Sequence, residues 1–382
     1  MAVPDIRLPA DLMPSDGRFG CGPSKIRPAA LSALGAAPST YLGTSHRQSP
    51  VRTMVKRLRA GLVELFRLPD GYEVVLGNGG AALFWDVATA GLIDKRSQHV
   101  VCGQFSTSFA EAVAAAPHLE APDVIEAPPG SGAFPRAKPG IDTYALIHNE
   151  TSTGVALPVV RPAEADPDAL VVVDATSAAG GMTVDPLAFD AYYFAPQKCL
   201  GSDGGLWLAL CSPAAIERVE RLAGEALTKP GSRWIPAILS LALALENSRL
   251  DQTYNTPALA TIFLAVEQVD WMLANGGLTW AAARCDASSA TIYGWAEASD
   301  FAAPFVADPA LRSPVVATID FDASVNAADV AAVLRANGIV DTEPYRRLGR
   351  NQMRIGMYPS VDPADVGVLT LAIDHVVNQL AF

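Results

Sequence analysis

The sequence is short of cationic side chains, of cysteine and of long apolar runs, and each shortage excludes something. Lys and Arg together number 28 against 40 Asp and Glu, a net charge of −12 over 382 residues. A chain this acidic has no general electrostatic footprint for nucleic acid, so any anionic ligand must be held by a local cluster. Cys21, Cys102, Cys199, Cys211 and Cys285 are odd in number, scattered and never spaced as CxxC, which points to neither a disulfide framework nor a zinc site. His46, His99, His118, His148 and His375 show no ligand spacing, and no metal is expected. The longest apolar run, about Trp234 to Leu245, contains Pro236 and Ser240 and falls short of the roughly 20 residues a membrane-spanning helix needs, so it reads as a buried helix. The amino-terminal MAVPDIRLPADLMPSDGR lacks the basic start and apolar stretch of a signal peptide, and a cytoplasmic address is expected.

What is present is apolar: half the residues are hydrophobic and 18% charged, enough for one large or two ordinary domains with real cores. Between residues 70 and 212 short β-rich runs alternate with polar or small-residue turns, several leading into helix-like segments. The runs are Glu73 to Leu76, His99 to Cys102, Tyr144 to His148, Leu170 to Val173, Ala191 to Phe194 and Leu206 to Cys211. That phrasing implies an α/β domain with a mainly parallel sheet, in which ligands lie beyond the carboxyl ends of the strands. Upstream, Ser49 and Pro50 suit a helix start, the serine as cap, with the helix running to Phe66. After residue 260 come helices Thr261 to Asn275 and Ala281 to Ala298, strand Val315 to Phe321, helix Ala327 to Ala336, strand Met353 to Met357 and a last helix from about Asp362. These predict a smaller α+β domain, with residues 20–260 forming the large domain and 1–19 with 261–382 the small one.

Three strand ends carry candidate chemistry. GNGGAALFWDVATAGL (Gly77 to Leu92) follows one strand and opens a helix, whose free amides can bind an anion. It lacks the lysine of a nucleotide-triphosphate loop and matches a dinucleotide fingerprint only loosely. Asp174 ends the buried run LVVVD, where an aspartate can equally cap the next turn. Lys198 follows 24 residues later, the one lysine of six that sits between two strongly apolar β runs. Desolvation there lowers an amine's pKa and frees it as a nucleophile, whereas a lysine snorkelling to the surface would stay an ordinary cation. Lysine, aspartate and phosphate-type loop are the parts that pyridoxal phosphate chemistry needs.

FGCGPSKI (Phe19 to Ile26), SHR (Ser45 to Arg47), HNETSTG (His148 to Gly154), VVDATSAAGG, FAPQK, YNTP (Tyr254 to Pro257) and MRIGMYP (Met353 to Pro359) together make the chain resemble the class V aminotransferases of fold type I, most nearly their phosphoserine branch. The resemblance implies a mainly parallel, seven-stranded-type sheet flanked by helices, plus a smaller α+β domain. It implies that Lys198 forms the Schiff base with pyridoxal 5′-phosphate, that Asp174 pairs with the pyridinium nitrogen, and that Gln197 with the amides of Gly80 and Ala81 meets the phosphate. Phe105 would stack on the ring and Thr151 would bond near its phenolic oxygen. Asn255 and Thr256 would reach the partner's cofactor phosphate in a homodimer with shared active sites. Arg354 would clamp the α-carboxylate, while His46, Arg47 and one of Arg346, Arg347 or Arg350 would hold the substrate's phosphate, arginine forks being suited to both anions.

The activity so implied is ping-pong transfer of the amino group from glutamate to 3-phosphohydroxypyruvate, giving 2-oxoglutarate and O-phosphoserine for serine biosynthesis. Phosphohydroxythreonine of vitamin B6 synthesis is a second candidate substrate. The alternative is an alanine- or serine-glyoxylate type aminotransferase of the same fold, for which two anion clusters would have little purpose. A cysteine desulfurase needs a mobile active-site cysteine, whereas Cys199 and Cys211 adjoin strand ends. A nucleotide-binding oxidoreductase is the reading from a different class. No nucleic acid or membrane partner is expected.

Overall fold

A computed structural model describes residues 5–229 and 232–380; residues 1–4 and 381–382, which the expected small domain included, lie outside the described part. The larger body is a sheet of seven strands in the order β1-β9-β8-β7-β4-β2-β3. These are β1 (Glu73–Asn78), β2 (Ser97–Val101), β3 (Asp123–Glu126), β4 (Thr143–Ile147), β7 (Leu170–Asp174), β8 (Ala191–Phe194) and β9 (Leu206–Cys211), with β5 (Asn149–Glu150) and β6 (Val155–Ala156) forming a separate two-stranded ribbon. The strands from β8 to β3 pair in parallel, and only β9 runs antiparallel to its neighbours β1 and β8. The central strands read as unbroken apolar runs because helices cover both faces: every residue of β4, β7, β8 and β9 is buried.

Helices α1 (Pro28–Gly35), α2 (Ser49–Phe66), α3 (Ala81–Gly91), α4 (Gln104–Ala115), α5 (Pro213–Thr228) and α6 (Leu241–Arg249) surround this sheet. The eighteen-residue α2 buries Val51, Val55, Leu58, Leu62 and Leu65 at helical spacing. Its first residue is Ser49 itself, preceded by Gln48, and no side chain caps it, so the expected serine cap is not made; Pro50 does occupy the first turn. The run from Trp234 to Leu245 is not one buried helix. Ser240 accepts a hydrogen bond from the Leu243 amide and starts α6, leaving a short 3₁₀ turn before it and Trp234 82% exposed. Strand β3 went unforeseen because its alternating, half-exposed pattern at the sheet edge leaves no apolar run.

The second body is a three-stranded antiparallel sheet of β10 (Ala302–Pro304), β11 (Val316–Phe321) and β12 (Gln352–Gly356), covered by α9 (Ala327–Ala336) and α10 (Pro363–Leu380). Phe19, Ile6 and Leu8 pack into its core, as do Ile292, Tyr293 and Ala296 at the far end of α8 (Gly277–Ala298). By contrast α7 (Leu259–Ala274) buries Ile262, Ala265, Val266, Val269 and Met272 in the large core, packed on α2, although the sequence division at residue 260 puts them in the small domain. Ala281 near the start of α8 also belongs to the large core, so we place the boundary within α8, which runs from one core to the other.

Candidate active site

The site forms where β7 and β8 end side by side. Their parallel register sets Asp174 opposite Tyr193. Asp174 is 5% exposed and accepts from the Tyr193 hydroxyl at 3.0 Å, from Trp85 Nε1 at 3.5 Å and, through its other oxygen, from the Thr176 amide at 2.9 Å. The aspartate therefore caps its own turn and still aims one oxygen into the site. Burial pushes its carboxyl above the usual range against these hydrogen bonds, which makes it a group that gains from a cationic partner.

Lys198 lies in the turn between β8 and β9 and points inward, its amine donating to the Cys21 carbonyl. Burial, with help from the Arg354 charge, lowers its pKa to about 8. The segment Cys21 to Ser24 brackets it: the Ser24 amide bonds the Gln197 carbonyl at 2.8 Å, and Tyr358 donates to the same Cys21 carbonyl at 2.8 Å. Gly22, at φ +136°, leaves the space the amine occupies, because a Cβ there would lie 2.1 Å from Lys198 Nζ.

Thr151, in the turn of the β5-β6 ribbon, donates its hydroxyl to Ser177 at 2.7 Å, and its carbonyl accepts from Arg354 Nη1 at 3.2 Å. Arg354, in the middle of β12, thus reaches from the small sheet to the large-domain site. Its Nε is buried with no partner, and its guanidinium lies over the Tyr345 ring at 5.2 Å. Phe105, second residue of α4, is half-buried, 6.0 Å from Tyr345.

Gly80 is the extended residue that opens α3, and Ala81 is its first helical residue; no side chain caps this end, so its amides face outward for an anion. Beside it the Asn78 side chain donates to the carbonyls of Asn255 and Thr256 at 3.2 and 3.1 Å. Thr256 Oγ1 is 3.2 Å from His46 Nδ1, and the adjacent Arg47 bonds Gln252 at 2.8 Å. The SHR and YNTP segments, remote in sequence, are thus one cluster. His46 is 8% exposed, its Nε2 has no partner, and burial beside Arg47 lowers its pKa.

The arginine run divides. Arg350 pairs with Asp320 and lies over the Phe305 ring, which takes it away from the site. Arg347 lines a cavity of about 180 Å³ with Gln104, Thr107, Ser152 and Tyr345, whereas Arg346 is exposed and does not line it. Of the three candidates Arg347 is the one that faces the start of α4.

Sequence reasoning missed Trp85, Tyr193, Ser177 and the Cys21-Gly22 bracket. Tyr193 carried a signal, as the residue that parallel register must set beside the aspartate. Trp85 carried a weaker one, as the polar-tipped aromatic one turn into the helix after the glycines. The Cys21 carbonyl carried none, since a backbone atom has no sequence signature. Among the described residues no cluster of three or more His, Cys, Asp or Glu could hold a metal, and no helix is long and apolar enough to cross a membrane.

Pyridoxal phosphate fits these residues: an inward-pointing amine of lowered pKa, a buried carboxyl suited to a cation, and a free helix end. Comparison with known proteins agrees. The aminotransferase class-V family profile matches residues 137–343. The chain is 60% identical over 376 residues to a phosphoserine aminotransferase of Nocardioides, covering 98% of this chain and 99% of that one. In structure it is similar to a phosphoserine aminotransferase of Cytophaga hutchinsonii, with a TM-score of 0.85, 25% identity and coverage of 94% and 99%. The fold is shared with an aspartate aminotransferase of Thermus thermophilus, at TM-score 0.79 and 24% identity over 94% of this chain and 99% of that one. With this architecture and a near full-length match, the chain belongs to the class-V aminotransferases, pyridoxal phosphate enzymes of fold type I.

Proposed function

We infer that the protein is a phosphoserine transaminase, moving the amino group of glutamate to 3-phosphohydroxypyruvate to give O-phosphoserine in serine biosynthesis. For the substrate, the carrying observation is the match along almost the whole chain to the Nocardioides phosphoserine aminotransferase. For the chemistry it is the pair Asp174 and Lys198 at adjacent strand tips.

When bound, pyridoxal phosphate supplies the electron sink that makes the substrate's Cα–H acidic. Lys198, its pKa lowered to about 8, has neutral amine available and would both hold the cofactor and carry the proton from Cα. Asp174, held by Tyr193 and Trp85, stabilises the proton on the pyridine nitrogen. The α3 amides of Gly80 and Ala81 with Gln197 take the cofactor phosphate, Thr151 the phenolic oxygen, and Phe105 the ring face. Arg354 offers its free Nε to the α-carboxylate common to both substrates. His46, Arg47 and Arg347, with Arg346 at the rim, supply positive charge for the substrate phosphate.

Asn255 and Thr256 are exposed in the single chain, and with the resemblance this supports a homodimer in which they complete the partner's site. A cytoplasmic address is the companion proposal, in keeping with five cysteines that are all buried free thiols.

The test is a half-reaction on cofactor-loaded protein. O-Phosphoserine at low concentration is expected to discharge the visible absorbance, and unmodified serine to leave it. Equal discharge by serine or alanine would move the enzyme to the glyoxylate branch, and no discharge by any amino acid would overturn the transaminase reading.

A further inference from the structure

Glu150 is completely buried, and none of the chemistry above uses it. Its two carboxylate oxygens accept from five donors: Ser106 Oγ at 2.9 Å and its amide at 3.0 Å, Ser152 Oγ at 2.7 Å and its amide at 3.2 Å, and the Phe105 amide at 3.4 Å. Burial pushes this carboxyl above its usual range, and the hydrogen bonds from Ser106 and Ser152 oppose that push without cancelling it. Two of the amides, those of Phe105 and Ser106, are free groups of the first turn of α4, which has no side-chain cap of its own. A carboxylate from the ribbon therefore caps this helix from outside, where the helix dipole favours negative charge.

The backbone is shaped to admit it. A Cβ on Gly103 would meet Glu150 Cγ at 2.5 Å and Cδ at 2.6 Å. Since Gly103 is extended, at φ 171°, what is needed there is space and not an unusual conformation.

The contacts join groups that the reaction uses separately. Phe105 is anchored through its amide, and Thr151 is the residue after Glu150. The Thr151 carbonyl accepts from Arg354, whose guanidinium lies over Tyr345, itself packed near Phe105. We propose that Glu150 is a positioning residue: its ionised carboxylate staples the start of α4 to the Thr151 turn and so sets the spacing at which Phe105 and Thr151 grip the cofactor ring.

This rests on the pyridoxal phosphate reading, and the experiment separates the two. Full-length apo-protein is titrated with pyridoxal phosphate, following the dissociation constant and the visible circular dichroism of the bound cofactor, with the thermal midpoint alongside. Glu150→Gln keeps the shape but removes the charge and turns an amide NH₂ toward donors. Losing hydrogen bonds to a charged acceptor predicts a dissociation constant about tenfold higher, with a weakened visible dichroic band. Gly103→Ala, which displaces the same carboxylate, is expected to do likewise, and it decides the matter if Glu150→Gln does not fold. Wild-type affinity and dichroism with only a lowered thermal midpoint would show a purely structural glutamate and overturn the proposal. Failure of the wild-type chain to bind pyridoxal phosphate would instead overturn the function inferred above.

Discussion

The floor of the site and its rim are built on opposite plans. At the floor, Asp174, Lys198 and Thr151 are each held by named partners: Asp174 ends a parallel strand, Lys198 lies in the turn after the next one, and Thr151 in the ribbon turn. At the rim, Arg47, Arg346 and Arg347 are exposed, and His46 carries a ring nitrogen without a partner. On the function proposed above, the difference follows from what each half would have to do. Groups that set the electronics of a resident cofactor gain from a dry, rigid setting, because electrostatic interactions strengthen there and cost no reorganisation. Groups that admit and release a phosphorylated substrate every turnover must exchange it for water, which a fully satisfied buried arginine could not do.

Substitutions can break or sharpen this contrast. The largest effect is expected at the floor. Lys198→Ala should lower turnover by at least about 10³-fold, with cofactor still bound but without a covalent link, since both the nucleophile and the proton carrier are removed. Single-turnover absorbance and a denaturing mass measurement check this, and near-normal turnover would refute the assignment.

Next comes a split at the boundary between the halves. Arg354→Ala should weaken glutamate and phosphoserine alike, by about tenfold or more for loss of a charged hydrogen bond. Arg347→Ala should weaken only phosphorylated substrates. Arg350→Ala, whose charge is spent on Asp320, should change either by less than about twofold, as exposed ion pairs contribute little. KM values for both substrates decide the matter, and a larger effect at Arg350 than at Arg347 would reverse the assignment.

The smallest effect is a pH profile. With the Lys198 pKa lowered to about 8, its neutral fraction grows with pH and saturates above that value. The rate at which apo-protein captures pyridoxal phosphate should therefore rise through pH 8 and then level off. A rise that continues toward the ordinary lysine range near pH 10.4 would mean that Lys198 is solvated.

The floor was also the more legible half. Buried parallel strands appear as unbroken apolar runs, so Asp174 stands out as the polar residue that ends one and Lys198 as the lysine in the turn between two others. Strand β3, half-exposed at the sheet edge, had no such contrast, and the apolar run after Trp234 hid the break that Ser240 makes by capping α6. At the rim the arginines are visible as a cluster, but three residues of one charge ahead of a strand are not told apart by residue type. The ion pair with Asp320 occupies Arg350, and only the folded chain sets Arg347, and not Arg346, in the cavity beside α4.

By itself the sequence determined the alternation of strand and helix, the strand tips that bear chemistry and the kinds of groups placed there, because these depend on local periodicity and residue type. Tertiary structure decided everything that depends on neighbours far along the chain. It brought the Cys21 carbonyl to the lysine, Trp85 to the aspartate and Glu150 under the start of α4, and it seated α7 on the large core. Such contacts involve backbone atoms and residues tens to hundreds of positions apart, and their cost and benefit arise only when packing removes water from both partners.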